Sequence, residues 1–82
     1  MAILYPITTE KAIGMIELEN KMLFVVEKQS TKKDIIEEVE KTFNVKVEKV
    51  NTLVTPKGEK RAYVKLKAGF KADDIAAKLK IA

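Results

Sequence analysis

The stretch MLFVV, Met22 to Val26, constrains this chain more than any other five residues. Successive side chains of a strand point to opposite faces. Met22, Phe24 and Val26 therefore face one way, and Leu23 and Val25 the other. Both faces need cover, so the strand belongs inside a sheet rather than at its edge. The chain has 82 residues, one domain by length. A domain of that size buries only about 60% of its unfolded surface, so every other element must aim an apolar stripe at this strand.

The flanking segments do so. ILYP is short and closed by Pro6, which suits an edge strand because proline donates nothing to a ladder. In TTEKAIGMIEL, Thr8 or Thr9 is the expected helix cap, Glu10 lies in the first turn, and Ala12, Met15 and Ile16 share a face. STKKDIIEEVEKTFN is the clearest helix. Thr31 and Asp34 have capping-box spacing, Ile35, Ile36, Val39 and Phe43 form a stripe, and Asn44 suits a left-handed terminus. In VKVEKVNTLVT, Val45 and Val47 share a parity that Val50 breaks, which predicts a bulge near Glu48. PKG makes a turn with Gly58 at positive φ. In KRAYVKLK, Ala62, Val64 and Leu66 point inward, while Arg61, Tyr63, Lys65 and Lys67 point outward. After Gly69, DDIAAKLKIA reads as a last short helix that buries Ile75, Ala76 and Leu79. The order is β-α-β-α-β-β-α. It predicts an α+β layered domain spanning residues 1–82, with a largely antiparallel sheet and a C-terminal basic hairpin.

Composition excludes several kinds of chemistry. There is no cysteine and no histidine, which removes disulfides, thiolates, the usual soft-metal ligands and the commonest general base. Glu37, Glu38 and Glu40 read as a solvated helix face, and Asp73 and Asp74 as a helix start, because nothing gathers them into an apolar pocket. The three glycines are isolated, so there is no phosphate loop. No catalytic residue, metal site or cofactor is expected. No apolar run approaches the roughly 18 residues of a membrane helix, and the N-terminus does not read as a signal peptide. The chain reads as soluble and intracellular.

Charge is unevenly spread. Residues 1–41 carry six basic and eight acidic side chains, and residues 42–82 carry ten and four. A polarised chain of this kind suits a polyanionic partner. The outward row Arg61, Tyr63, Lys65 offers cations for phosphates around an aromatic for a base or ribose. Lys57 and Lys60 extend it toward the turn, and Asn51 and Thr52 add uncharged contacts on the neighbouring strand. Lys32 and Lys33 sit in a helix first turn, where the dipole disfavours cations, and an anionic partner accounts for them better than helix stability does. The competing reading is an exposed sheet edge defended by lysine. The strand only partly imitates an RNA-recognition motif. It has one aromatic where two or more are usual and lacks the glycine, so base stacking in that mode is not expected.

TEKA, NKMLFVV, TKKDI and FNVKVEKVNTLVTPKGEKRAYVKL together resemble the large-subunit ribosomal protein family number twenty-three, in a short archaeal form. The match runs from about Pro6 to Gly69, and VNT followed by Gly58 and KRAYVKL is its most specific part. The resemblance implies a structural protein that binds large-subunit (23S-type) rRNA beside the nascent-chain tunnel exit. It implies a neighbour of the twenty-nine family and a docking surface for factors, the signal recognition particle or a nascent-chain-associated complex. Thr8, Thr9 and Glu10 match the family's factor-docking stretch. The long Arg- and Gly-rich loop of bacterial members is replaced by TPKGE, which puts contact inside the tunnel in doubt. The alternative is a free-standing α+β module that binds RNA or a small regulatory ligand.

Overall fold

A computed structural model describes residues 2–79. The elements are β1 (Ile3–Pro6), α1 (Glu10–Glu19), β2 (Lys21–Val26), α2 (Lys32–Phe43), β3 (Val47–Val54), β4 (Lys60–Leu66) and α3 (Ala72–Lys78). The expected last helix ran to the end of the chain; residues 80–82 lie outside the described residues. The four strands pair antiparallel in the order β1-β2-β4-β3. The strand that needed cover on both faces is thus interior, and every residue from Met22 to Val26 is buried.

One apolar cluster lies on one face of the sheet. It takes Met22, Phe24 and Val26 from β2, Val50 from β3, and Ala62, Val64 and Leu66 from β4. Ile16 of α1, Ile35, Val39 and Phe43 of α2, and Ala72, Ile75 and Ala76 of α3 close over it. Phe24 and Phe43 stack with ring centroids 6.4 Å apart. Val50 reaches this face because the β3–β4 register shifts between Val47 and Lys49, placing the bulge where the broken parity required it.

Helices α1 and α2 begin, and α2 ends, as their short-range chemistry dictates. Thr9, rather than Thr8, caps α1 by accepting from the Ala12 N–H. Thr31 and Asp34 form a reciprocal capping box on α2. Asn44 closes α2 in the left-handed region.

Two features depart from expectation. Glu38 and Glu40 are half-buried rather than on a freely solvated face. Glu38 accepts from the Ala2 and Ile3 N–H groups at 2.8 and 3.0 Å, and Glu40 accepts from Val47 N–H at 2.9 Å. These donors precede or open strands and have no ladder partner on that side, so α2 supplies one. The second is Asn20, which the sequence did not mark. It ends α1 at φ 56°, in the left-handed region. Its Nδ2 donates to Phe70 O at 2.8 Å, and its Oδ1 accepts from Ala72 N–H at 2.7 Å. α3 has no side-chain cap of its own at Lys71, so Asn20 caps it from across the fold.

Replacing Asn20 by alanine removes two hydrogen bonds, each about 1 kcal/mol net, and strains a left-handed backbone by roughly 1 kcal/mol more. Urea unfolding should show a loss of about 2–4 kcal/mol. Asn20→Gly should recover only the backbone part. Equal loss in both variants would show that the backbone conformation contributes nothing.

Candidate nucleic-acid interface

The face of the sheet opposite the helices is built from the alternate residues of each strand. Pairing sets them in rows across the sheet. Lys21, Lys65 and Lys49 lie side by side on β2, β4 and β3. The next row is Leu23, Tyr63 and Asn51. The third is Tyr5, Val25, Arg61 and Leu53. Leu23 and Val25 are buried yet lie outside the helix-covered cluster. Their register neighbours on this face are the long side chains of Tyr5, Arg61 and Tyr63. Tyr5 and Leu53, at the two margins, are 52% and 40% exposed.

Like charges placed directly opposite on a sheet are destabilising. The Lys21–Lys65–Lys49 row sets up two such oppositions. Two carboxylates offset part of the charge: Glu19 lies 3.4 Å from Lys21, and Glu48, on the bulge, lies 3.5 Å from Lys65. Exposed pairs of this kind contribute about 0–1 kcal/mol.

The third row has a different electrostatic character. Arg61 Nε donates to Glu59 Oε1 at 2.7 Å, and Tyr5 Oη donates to Glu59 Oε2 at 3.2 Å. The Arg61 hydrogen bond holds the Glu59 carboxyl below its usual range. The Glu59 charge in turn pushes the Tyr5 phenol above its usual value, while Arg61 pulls the other way. A raised tyrosine pKa means that this contact stabilises the fold below the ordinary tyrosine range. That contribution is lost as pH rises through the raised value.

The structure brings together some of the sequence-predicted residues and separates others. Arg61, Tyr63, Lys65 and Asn51 share the open face. Thr52 pairs with Ala62 and is half-buried on the helical side, so it does not join Asn51. Lys60 is also turned away. Its Nζ donates to Ser30 O at 2.6 Å and to Lys28 O at 3.4 Å, tying the hairpin to the loop after β2. Lys57 is exposed in the hairpin turn. That turn is self-contained, with Thr55 N–H bonded to Glu59 O and Gly58 N–H to Thr55 O. Gly58 takes φ 85°, and a Cβ there would stand 3.1 Å from Lys28 Nζ. Lys32 and Lys33 are exposed at the start of α2, away from the open face. The Asp34 carboxylate already serves that helix start. Thr8, Thr9 and Glu10 are all exposed where β1 gives way to α1.

Sequence reasoning missed Tyr5, Lys21 and Lys49. Tyr5 sits in a four-residue strand too short for periodicity to orient, Lys21 opens its strand, and the bulge hides the parity of Lys49. Among the described residues no group of carboxylates is arranged to hold a metal ion, and no helix is long and apolar enough to cross a membrane. A groove of about 490 Å³ beside α2 is lined by Glu27, Asp34, Glu37 and Glu38 among others. Two of these carboxylates already serve backbone N–H groups.

Comparison with known proteins gives one consistent result. The family model described as Ribosomal protein L23 matches residues 1–74. A curated relative, the large ribosomal subunit protein uL23 of Pyrobaculum aerophilum, is 56% identical over 73 residues, covering 89% of this chain and 90% of that one.

The Tyr5–Glu59–Arg61 contact can be read by phenolate absorbance, since the chain has only two tyrosines. One transition should lie above the ordinary tyrosine value. It should fall in Glu59→Gln and rise further in Arg61→Ala. Titrations identical to wild type in both variants would contradict the contact.

Proposed function

The chain belongs to the ribosomal protein L23 family in its archaeal-type form, and from that premise we propose that its open sheet face binds large-subunit rRNA. As a member of that family it is a structural, non-enzymatic constituent of the large ribosomal subunit, in the cytoplasm. The alternative of a free-standing regulatory module gives way to this membership.

The observation that carries the rRNA reading is the lysine row. Lys21, Lys65 and Lys49 meet in register, an arrangement that works against folding. A polyanion laid across the row turns the repulsion into attraction and releases counterions as it binds. Asn51 and Tyr63 lie one row further on, about 7 Å along the strand, close enough to meet sugar or base once the backbone is held. Arg61 extends the surface. Lys57 adds a contact from the hairpin tip, and Lys32 and Lys33 add phosphate contacts from the helical side. Lys60 and Thr52 contribute through the fold.

The triple variant Lys21→Ala, Lys49→Ala, Lys65→Ala should bind large-subunit rRNA at least about tenfold more weakly at low salt. The slope of log affinity against log salt should shrink by roughly 2, at about 0.7 for each phosphate the protein no longer neutralises. Its urea midpoint should hold or rise, because two like-charge oppositions are gone. An unchanged slope would remove the row from the interface.

The family resemblance supports a finer placement: beside the tunnel exit, next to a protein of the twenty-nine family, with Thr8, Thr9 and Glu10 facing the signal recognition particle or a nascent-chain-associated complex. The exposure of all three residues is compatible with this. Thr9 carries a structural duty as the α1 cap as well, so Glu10 is the residue to test. Glu10→Lys should weaken factor binding to purified ribosomes at low salt while incorporation stays normal, since a charge reversal at an exposed interface acts through encounter and repulsion. Wild-type recruitment would leave Glu10 as a helix-dipole partner only.

A further inference from the structure

The open face carries one arrangement that a phosphate-binding patch does not need. Both tyrosines of the chain, Tyr5 and Tyr63, stand on it. They come from strands far apart in sequence, and β2 lies between them. Tyr5 is paired with Val25, Val25 with Arg61, and Tyr63 lies two residues beyond Arg61 on β4. Two strand spacings across and two residues along separate their Cα atoms by about 12 Å. Leu23 and Val25 form an apolar floor beside the rings, and both are buried.

Charge is distributed to match. The lysine row lies along one side of the tyrosines. Between the rings, Arg61 is held through Nε by Glu59, which also accepts from Tyr5 Oη. That bridge orients the guanidinium and the Tyr5 ring together and neutralises the centre of the face. A neutral centre with planar groups and a cationic margin suits bases in the middle and phosphates at the side. A duplex cannot use such a centre, because its bases are stacked on one another and only its backbone and groove edges are presented. Unpaired nucleotides can, since each base has a free face to lay on an aromatic ring.

We propose that this face takes an unpaired segment of RNA, with bases stacked on Tyr63 and Tyr5 and the backbone running along Lys21, Lys65 and Lys49. The proposal rests on the reading of the open face as the rRNA surface and specifies which form of RNA it takes. Arg61 offers a third planar surface between the rings. Glu59 is a positioning residue, acting through Arg61 and Tyr5.

With no tryptophan present and both tyrosines on the surface in question, intrinsic fluorescence reports on stacking directly. The probes are an alternating cytidine–adenosine RNA of about twelve nucleotides, which has no self-structure, and an RNA duplex of about twelve base pairs. The full chain should show tyrosine quenching with the single strand and little with the duplex. Tyr63→Leu and Tyr5→Leu should each lower single-strand affinity by about tenfold and leave duplex affinity unchanged. Tyr63→Phe, which keeps the ring, should bind as wild type. Tyr5→Phe, which keeps the ring but loses the hydroxyl bonded to Glu59, should lose less affinity than Tyr5→Leu. Urea unfolding of each variant checks that the sheet is intact. If the leucine variants bind the single strand as well as wild type, or the duplex quenches equally, stacking is overturned. The lysine triple variant separates the two levels. If the leucine variants bind as wild type while the triple variant binds both probes more weakly, the rRNA surface stands and stacking fails. Unchanged binding of the triple variant to both probes overturns surface and stacking together.

Discussion

The helices bury their apolar stripes against one face of the sheet, and the rest of the molecule follows from that. Ile16, Ile35, Val39, Phe43, Ala72, Ile75 and Ala76 meet Met22, Phe24, Val26, Val64 and Leu66 in one cluster. Among the described residues this leaves no helix for the other face, although β2 presents Leu23 and Val25 there. Those two are shielded by long amphipathic neighbours, whose stems cover apolar surface while their polar ends reach water. A face covered in this way is at once closed against solvent and available to a partner.

The open face shows how charge placement separates stability from function. Lysines in register weaken a sheet, and the two neighbouring carboxylates recover only part of that at an exposed surface. Three acids of α2 are put to backbone use. Glu38 and Glu40 satisfy strand N–H groups, and Asp34 completes a cap. Four cations, Lys21, Lys49, Arg61 and Lys65, share the open face, three of them from the basic half of the chain, while carboxylates on α2 tie down the helical layer.

The layers are joined by a few long-range polar contacts. Asn20 links the end of α1 to the start of α3 through Phe70 and Ala72, and its carbonyl accepts from Leu66 N–H at 3.3 Å. Lys60 ties the hairpin to the loop after β2. Each uses a residue type that sequence reading assigns to a more ordinary role, a helix-ending asparagine or a surface lysine. Each matters because it satisfies backbone groups that secondary structure leaves open.

The sequence by itself determined the element order, the interior place of β2, the capping box at Thr31 and Asp34, the left-handed Asn44, the bulge near Glu48 and the outward row on β4. All of these rest on periodicity or on chemistry within a few residues, which a linear reading contains. The family was legible too, through motifs spread along most of the chain. Only the tertiary structure decided that Lys21, Lys49 and Lys65 share a row, that Tyr5 joins Tyr63, and that Lys60 and Thr52 leave the face that Arg61 and Asn51 occupy. It also decided that Asn20 caps a helix some fifty residues away. The physical reason is that cross-strand neighbours depend on strand order and hydrogen-bond register. Packing of the whole apolar cluster selects both, and no local segment encodes either.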